Sequence, residues 1–212
     1  MKNNKSKIKR VPKRAIYEKK DIYKILDKEC LCHVGFIYNG SPIVIPTLYG
    51  RKDDLIYIHG ASISRMITEL EKGIEVSVSM ANVNGLVLAR SAFHHSVNYE
   101  SVVLFGKGKL VEENKKNEAL KIISDHIIHG RWEECRLPSE NELKATKVIE
   151  IKIEEISAKV RTGSPIDDQQ DYELDYWAGE IPFNKVIGKA IPDNKLKSDI
   201  NIPESVKNLV GS

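Results

Sequence analysis

The sequence predicts a mainly β fold: a small antiparallel barrel of about six strands, with a few helices packed on its outside and ends. Three observations carry this reading. Apolar and polar residues alternate with a period of two, most cleanly at Val76-Ser77-Val78-Ser79-Met80 and Ile149-Glu150-Ile151-Lys152-Ile153. Asn39-Gly40 stands between two strand-like runs, and that pair favours the left-handed turn of a two-residue hairpin. The helical stretches do not alternate regularly with the strands, which argues against a doubly wound parallel sheet, and no G-x-G-x-x-G or P-loop pattern occurs.

Element by element, a first helix is expected over 18–27, with Ile22, Ile25 and Leu26 on one side. A strand over 32–38 follows, then the Asn39-Gly40 turn and a return strand over 43–49. Pro46 inside that strand cannot donate to a ladder, so it marks an edge, a bulge or a place where a ligand replaces the neighbouring strand. A polar turn at 51–54 leads to a strand over 55–59. A helix over 64–72 is closed by Gly73. The strand at Val76–Met80 is followed by Asn84-Gly85, read as a second tight turn, and by strands over 86–93 and 101–111. A helix over 117–128 carries Leu120, Ile123 and Ile127 on one face and stops at Gly130. Ser139 and Glu142 form a capping-box pattern for a short helix. A last strand is centred on 149–153. The reading divides the chain into a basic flexible arm (1–14), the barrel domain (15–165) and an irregular tail wrapping it (166–212).

Composition sets the outer bounds. The chain has 212 residues, 41% of them apolar and 30% charged, with a formal net charge of +3. That size supports a hydrophobic core without staples. No stretch is long and apolar enough for a membrane helix, and the lysine-rich start lacks the apolar core of a secretory signal, so a cytoplasmic location is expected. The arm carries Lys2, Lys5, Lys7, Lys9, Arg10, Lys13 and Arg14 but no interleaved aromatics, which disfavours a nucleic-acid partner. Cys30, Cys32 and Cys135 are too few for a disulfide framework, and buried reduced thiols are expected.

The most informative segment is Leu55-Ile56-Tyr57-Ile58-His59-Gly60-Ala61-Ser62-Ile63-Ser64-Arg65. A strand, a small-residue loop and a helix start bearing a hydroxyl and a guanidinium are what a dianionic phosphate needs. Gly60 and Ala61 would let the backbone approach, Ser64 would donate a hydroxyl hydrogen bond, and Arg65 would chelate with its planar fork. The alternative from spacing alone is a plain N-cap and a surface charge.

This segment, together with Ile45-Pro46-Thr47-Leu48-Tyr49-Gly50, resembles the pyridoxamine 5'-phosphate oxidase-like FMN-binding split-barrel superfamily. The likeness is strongest to its flavin-nucleotide-binding, nitroimidazole-resistance-protein-like branch, and it extends over roughly residues 10–182 through Cys32-His33-Val34-Gly35-Phe36, Gly130-Arg131-Trp132 and Trp177-Ala178-Gly179. The resemblance implies a six-stranded antiparallel Greek-key split barrel, with FMN held between the two subunits of a homodimer. Ser64 and Arg65 would bind its phosphate, His59 and Gly60 would lie beside the ribityl chain or ring, and Pro46, Thr47, Leu48 and Tyr49 would meet the ring edge with backbone groups. His59 would be the catalytic proton donor or acceptor. Many relatives carry a Lys shortly after the serine, where this chain has Arg65 and Met66.

A second polar cluster is Ser91-Ala92-Phe93-His94-His95. Ser91 and His94 are candidate flavin contacts, with a structural or interface role as the alternative. Adjacent histidines on a strand point to opposite faces and cannot easily share a metal, an argument that weakens if the segment is a loop. His126 and His129 are read as a solvated helix end. Trp177 is a packing residue or a cover over the flavin, and Arg161 an interface ion-pair member. The resemblance implies an FMN-dependent oxidoreductase acting on a small molecule, nitroreductase-like chemistry included. The alternative is a non-catalytic flavin carrier or sensor. The tail after Trp177, Ile181-Pro182-Phe183-Asn184-Lys185, lacks the arginine-bearing motif that pyridoxamine-phosphate oxidation uses in that family.

Overall fold

In the computed structural model, which describes residues 5–211, the strands are β1 (Ala15–Ile16), β2 (Leu31–Tyr38), β3 (Ser41–Leu48), β4 (Gly50–Lys52), β5 (Leu55–Ala61), β6 (Glu75–Leu88), β7 (Ser96–Leu110), β8 (Thr146–Arg161) and β9 (Gly179–Pro182). The helices are α1 (Lys19–Leu26), α2 (Arg65–Leu70), α3 (Lys116–Ile127), α4 (Glu140–Ala145) and α5 (Glu204–Val210). All strand pairs are antiparallel, in the order β3-β2-β6-β7-β8-β5-β4, with β1 added to β8 and β9 to β6. Only Tyr49 separates β3 from β4, although they are the two ends of that path. The sheet therefore curls until its ends meet, and no ladder closes the seam. This is the split form of the expected barrel.

Local chemistry explains most boundaries. Asn39 and Gly40 take φ of 49° and 77° and join β2 to β3 residue for residue, from Tyr38 against Ser41 to Leu31 against Leu48. Pro46 does lie on an edge strand. Gly73 (φ 76°) and Gly130 (φ 79°) follow α2 and α3. Ser139 and Glu142 complete a reciprocal capping box at α4.

The interior is filled from both ends. Ile22, Ile25 and Leu26 of α1 and Met66, Ile67 and Leu70 of α2 pack with Val34, Val78, Leu104 and Ile151, all essentially removed from solvent. A smaller cluster of Tyr57, Val148, Val111, Ala119 and Ile123 seats α3 on the outer face of β5. Each buried aliphatic side chain here stabilises by about 1.5–3 kcal/mol.

The six expected strands are the six long ones, β2, β3, β5, β6, β7 and β8; β1, β4 and β9, of two to four residues, flank them. Several other expectations are corrected. Asn84-Gly85 is not a turn: β6 runs straight through it with a bulge between Val83 and Gly85. Gly85 is there because a Cβ would lie 2.6 Å from the carbonyl oxygen of Ile181, where β9 crosses closely. The tail is only partly irregular, since it supplies β9 and α5. Lys5 pairs with Glu75 and the Ser6 amide donates to Glu155, so the described part of the arm lies along the sheet; Lys2 is outside the described residues. Cys32 is buried, and burial pushes its thiol up to about 12, but Cys30 and Cys135 are exposed. Among the described residues no helix is long and apolar enough to cross a membrane.

Candidate functional site

β5 delivers the chain to α2 through Ser62-Ile63-Ser64. The Ser62 amide donates to the Ala145 carbonyl and the Ser64 amide to the Ala61 carbonyl, so the loop is pinned from both sides. Ser64 is the N-cap of α2, yet its hydroxyl makes no capping bond. The first-turn amides, from Arg65 to Ile67, have no intrahelical acceptor by the geometry of any helix start. The exposed Arg65 guanidinium lies 5.3 Å from the centre of the Tyr38 ring, and among the described residues it has no carboxylate partner. An uncompensated cation, an unspent hydroxyl and free amides meet at one junction, the groups that could hold an anion.

Gly60 has a different reason than the sequence suggested. A Cβ there would press to 3.0 Å from the Ile67 side chain, so the glycine admits α2 to the core. Ala61 is exposed at the strand end. His59 points to the opposite face of β5 from Gly60, the face that carries Tyr57 and α3. It lines a cavity of about 280 Å³ together with Leu120, Arg136, Glu142 and Leu143. Its Nδ1 is buried without a hydrogen-bond partner, and burial pushes the imidazole below its ordinary range. The ring is therefore neutral near pH 7, with one ring nitrogen unsatisfied. At the rim of this cavity Arg136 holds Glu142 in a two-bond pair (2.8 and 2.9 Å), which with the Ser139 cap draws that carboxyl down to about 2.

The β3 residues divide. Pro46 and Leu48 are exposed and Thr47 half-buried on the free edge. Tyr49 is a core residue: its side chain is fully buried, its hydroxyl donates to the Leu26 carbonyl, and its amide donates to the Cys30 carbonyl. Neither polar group of Tyr49 that could donate is left for a ligand.

The second cluster is a 3-10 turn, Ala92–His94, rather than strand. Ser91 Oγ accepts from the Phe93 amide, His94 faces Asp168, and His95 Nδ1 accepts from the Ala89 amide. Trp177 is 67% exposed and lies over Gly179. His126 is not solvated as expected: its Nε2 meets the Glu29 carbonyl and its ring packs against Tyr49. Arg161 is not at an interface ion pair but buried inside the chain, donating to Asn98 and to the carbonyls of Gly163 and Ser164. Sequence reasoning also missed Tyr38, Arg136 and Asp167, whose proximity no spacing reveals.

The two clusters lie at opposite ends of β8. Ala61 pairs with Thr146 at its start, and Tyr99, near the second cluster, pairs with Arg161 at its end. Sixteen residues of strand reach about 50 Å when straight. A larger cavity, about 850 Å³, lies between Arg131 or Glu134 and the tail near Ile191 and Ile202, and none of these site residues lines it.

The chain matches the family model described as pyridoxamine 5'-phosphate oxidase over residues 18–160. It is similar to a flavocytochrome from Azotobacter vinelandii, 37% identical, over 96% of this chain and 95% of that one, with a TM-score of 0.90. It is also similar to the FAD and heme binding protein from Mycobacterium smegmatis, 29% identical, over 92% and 96% of the two chains, with a TM-score of 0.88. A protein assigned to 5-nitroimidazole antibiotic resistance in Bacteroides thetaiotaomicron shares the fold at 24% identity and a TM-score of 0.57, over 69% of this chain and 86% of that one. No curated protein matches the chain.

Proposed function

Because the chain belongs to the pyridoxamine 5'-phosphate oxidase family, we propose that it is a flavin-dependent oxidoreductase whose nucleotide phosphate docks at the β5–α2 junction. The observation that carries this reading is the exposed, unpaired Arg65 beside the unspent hydroxyl of Ser64. Arg65 and Ser64 bind the phosphate, and the free edge of β3 at Pro46, Thr47 and Leu48 offers backbone groups to the ring system. A bound flavin would supply the hydride and electron transfer. The chain supplies binding, orientation and, at His59, a neutral imidazole able to accept a proton.

Similarity to the Mycobacterium smegmatis protein favours FAD over the FMN that the sequence resemblance implies. Acid release of the bound nucleotide followed by chromatography separates the two. Arg65→Ala is expected to strip most flavin from the purified protein, at a cost of about 1.5–3 kcal/mol for lost charge-assisted hydrogen bonds. Full flavin stoichiometry in that variant would place the phosphate elsewhere. Rapid mixing of the yellow protein with NADH or NADPH without oxygen distinguishes an oxidoreductase, which bleaches faster than free flavin, from a carrier, which does not.

The assembly proposed is a homodimer in which each site takes its junction from one chain and Ser91 and Trp177 from the other. The separation of the two clusters along β8 supports it, as does the 280 Å³ cavity, which is small for a dinucleotide.

In a second reading His59, whose imidazole is neutral and has an unpartnered Nδ1, would hold the iron of a heme, which would supply electron transfer. Similarity to the flavocytochrome from Azotobacter vinelandii and to the FAD and heme binding protein from Mycobacterium smegmatis supports a heme in this chain. In His59→Ala, loss of a heme absorption band with the flavin bands retained identifies a heme ligand. Loss of flavin instead identifies a flavin contact.

A further inference from the structure

We propose that His94, Asp168 and Asp171 bind a divalent transition-metal ion that fastens the C-terminal tail to the far end of the barrel, a role independent of the flavin reading. The residues come from two distant segments. His94 ends the 3-10 turn Ala92–His94, Asp168 occupies the N-cap position of the 3-10 turn Gln169–Glu173 without making a capping bond, and Asp171 lies within that turn. One potential ligand atom from each lies within 4.8 Å of the other two, and His94 Nε2 is 3.5 Å from the Asp168 carboxylate. Ligand atoms about 2.1 Å from a common ion sit about 3.0–3.4 Å apart, a contraction that side-chain torsions can supply.

The backbones that present these donors are already locked together. Asp167, the neighbour of Asp168, has a fully buried side chain that accepts the amides of Arg90 (3.1 Å) and Ser91 (3.3 Å) and the Arg90 guanidinium (3.3 Å). Arg90 is spent on this clamp and on the Tyr172 ring, 4.9 Å away. Among the described residues neither Asp168 nor Asp171 has a Lys or Arg ion-pair partner. Two carboxylates are thus brought beside one imidazole with no cation from the chain to offset them.

An imidazole nitrogen with two carboxylate oxygens suits Zn²⁺, Mn²⁺ or Fe²⁺, whereas Ca²⁺ and Mg²⁺ prefer oxygen ligands throughout. Three protein ligands leave positions for water, consistent with the 72% exposure of the Asp168 side chain. The ion would tie the segment carrying Trp177 and β9 to the turn that follows β6.

The test is calorimetric titration of the chelator-treated full chain with Zn²⁺, with flavin content read separately by absorbance. One saturable site per chain is expected, and His94→Ala and Asp171→Asn should each weaken it at least tenfold. Zn²⁺ should also slow proteolytic cleavage within residues 168–178, and not in the variants. Absence of saturable binding, or an affinity that survives both substitutions because the metal sits on Cys30 or Cys135, overturns the proposal whatever the flavin content.

Discussion

His59 concentrates the chemistry of this chain in one ring. It ends a run of buried residues on β5, and its desolvation lowers the imidazole pKa, while Glu142 in the same cavity is paired with Arg136. The folded state therefore prefers the neutral ring. Its contribution to stability is fully present above the unfolded-state value, about 6.5, and is lost as pH falls through that value toward the depressed folded one. The urea midpoint is expected to decline between pH 7 and pH 5, and His59→Gln should flatten that slope. An unchanged slope would mean that the ring is solvated in the folded chain and that burial does not hold it neutral. Arg65 is the converse case, an exposed cation kept without a partner, which is why its removal should cost ligand and spare stability.

Secondary-structure elements hold these side chains in place, and α4 is the clearest example. Ser139 and Glu142 satisfy each other's backbone groups at its start, Glu142 also takes Arg136, and the helix runs directly into β8 at Thr146 beside His59. Ser139→Ala should cost about 1 kcal/mol, a fall in melting temperature of roughly 2–4 °C for a chain of this size. A scanning-calorimetry comparison checks it. No change would mean that the Arg136–Glu142 pair, not the cap, orders this helix. The capping box, the Asn39-Gly40 hairpin and the glycines after α2 and α3 were readable as local rules. Asn84-Gly85 obeyed the same rule on paper but became a bulge, because β9 pairs with β6 there and a neighbouring strand outweighs a turn preference.

At the level of the molecule, the placement of the two clusters gives the strongest prediction. If each site takes Arg65 from one chain and Trp177 from the other, co-expressed Arg65→Ala and Trp177→Ala chains should form mixed dimers with one intact site. Those dimers should retain about half the flavin of the native protein, while either variant alone retains little. Mixed dimers as empty as their parents would show that each chain builds its site alone. Light scattering in the presence of flavin supplies the accompanying measure of mass.

The sequence by itself determined the mainly β architecture, the hairpin, the helix ends and the strand–loop–helix junction at Ser64 and Arg65, because each depends on neighbours a few residues apart. It also carried the family, through the order of short motifs along most of the chain. Only the tertiary structure decided that Tyr49 belongs to the core, that His59 and Gly60 face opposite ways, and that Asp167 clamps Arg90 from across the chain. Those outcomes depend on which face of a strand is covered and by what. That is fixed when the curled sheet brings distant segments together, and no local spacing records it.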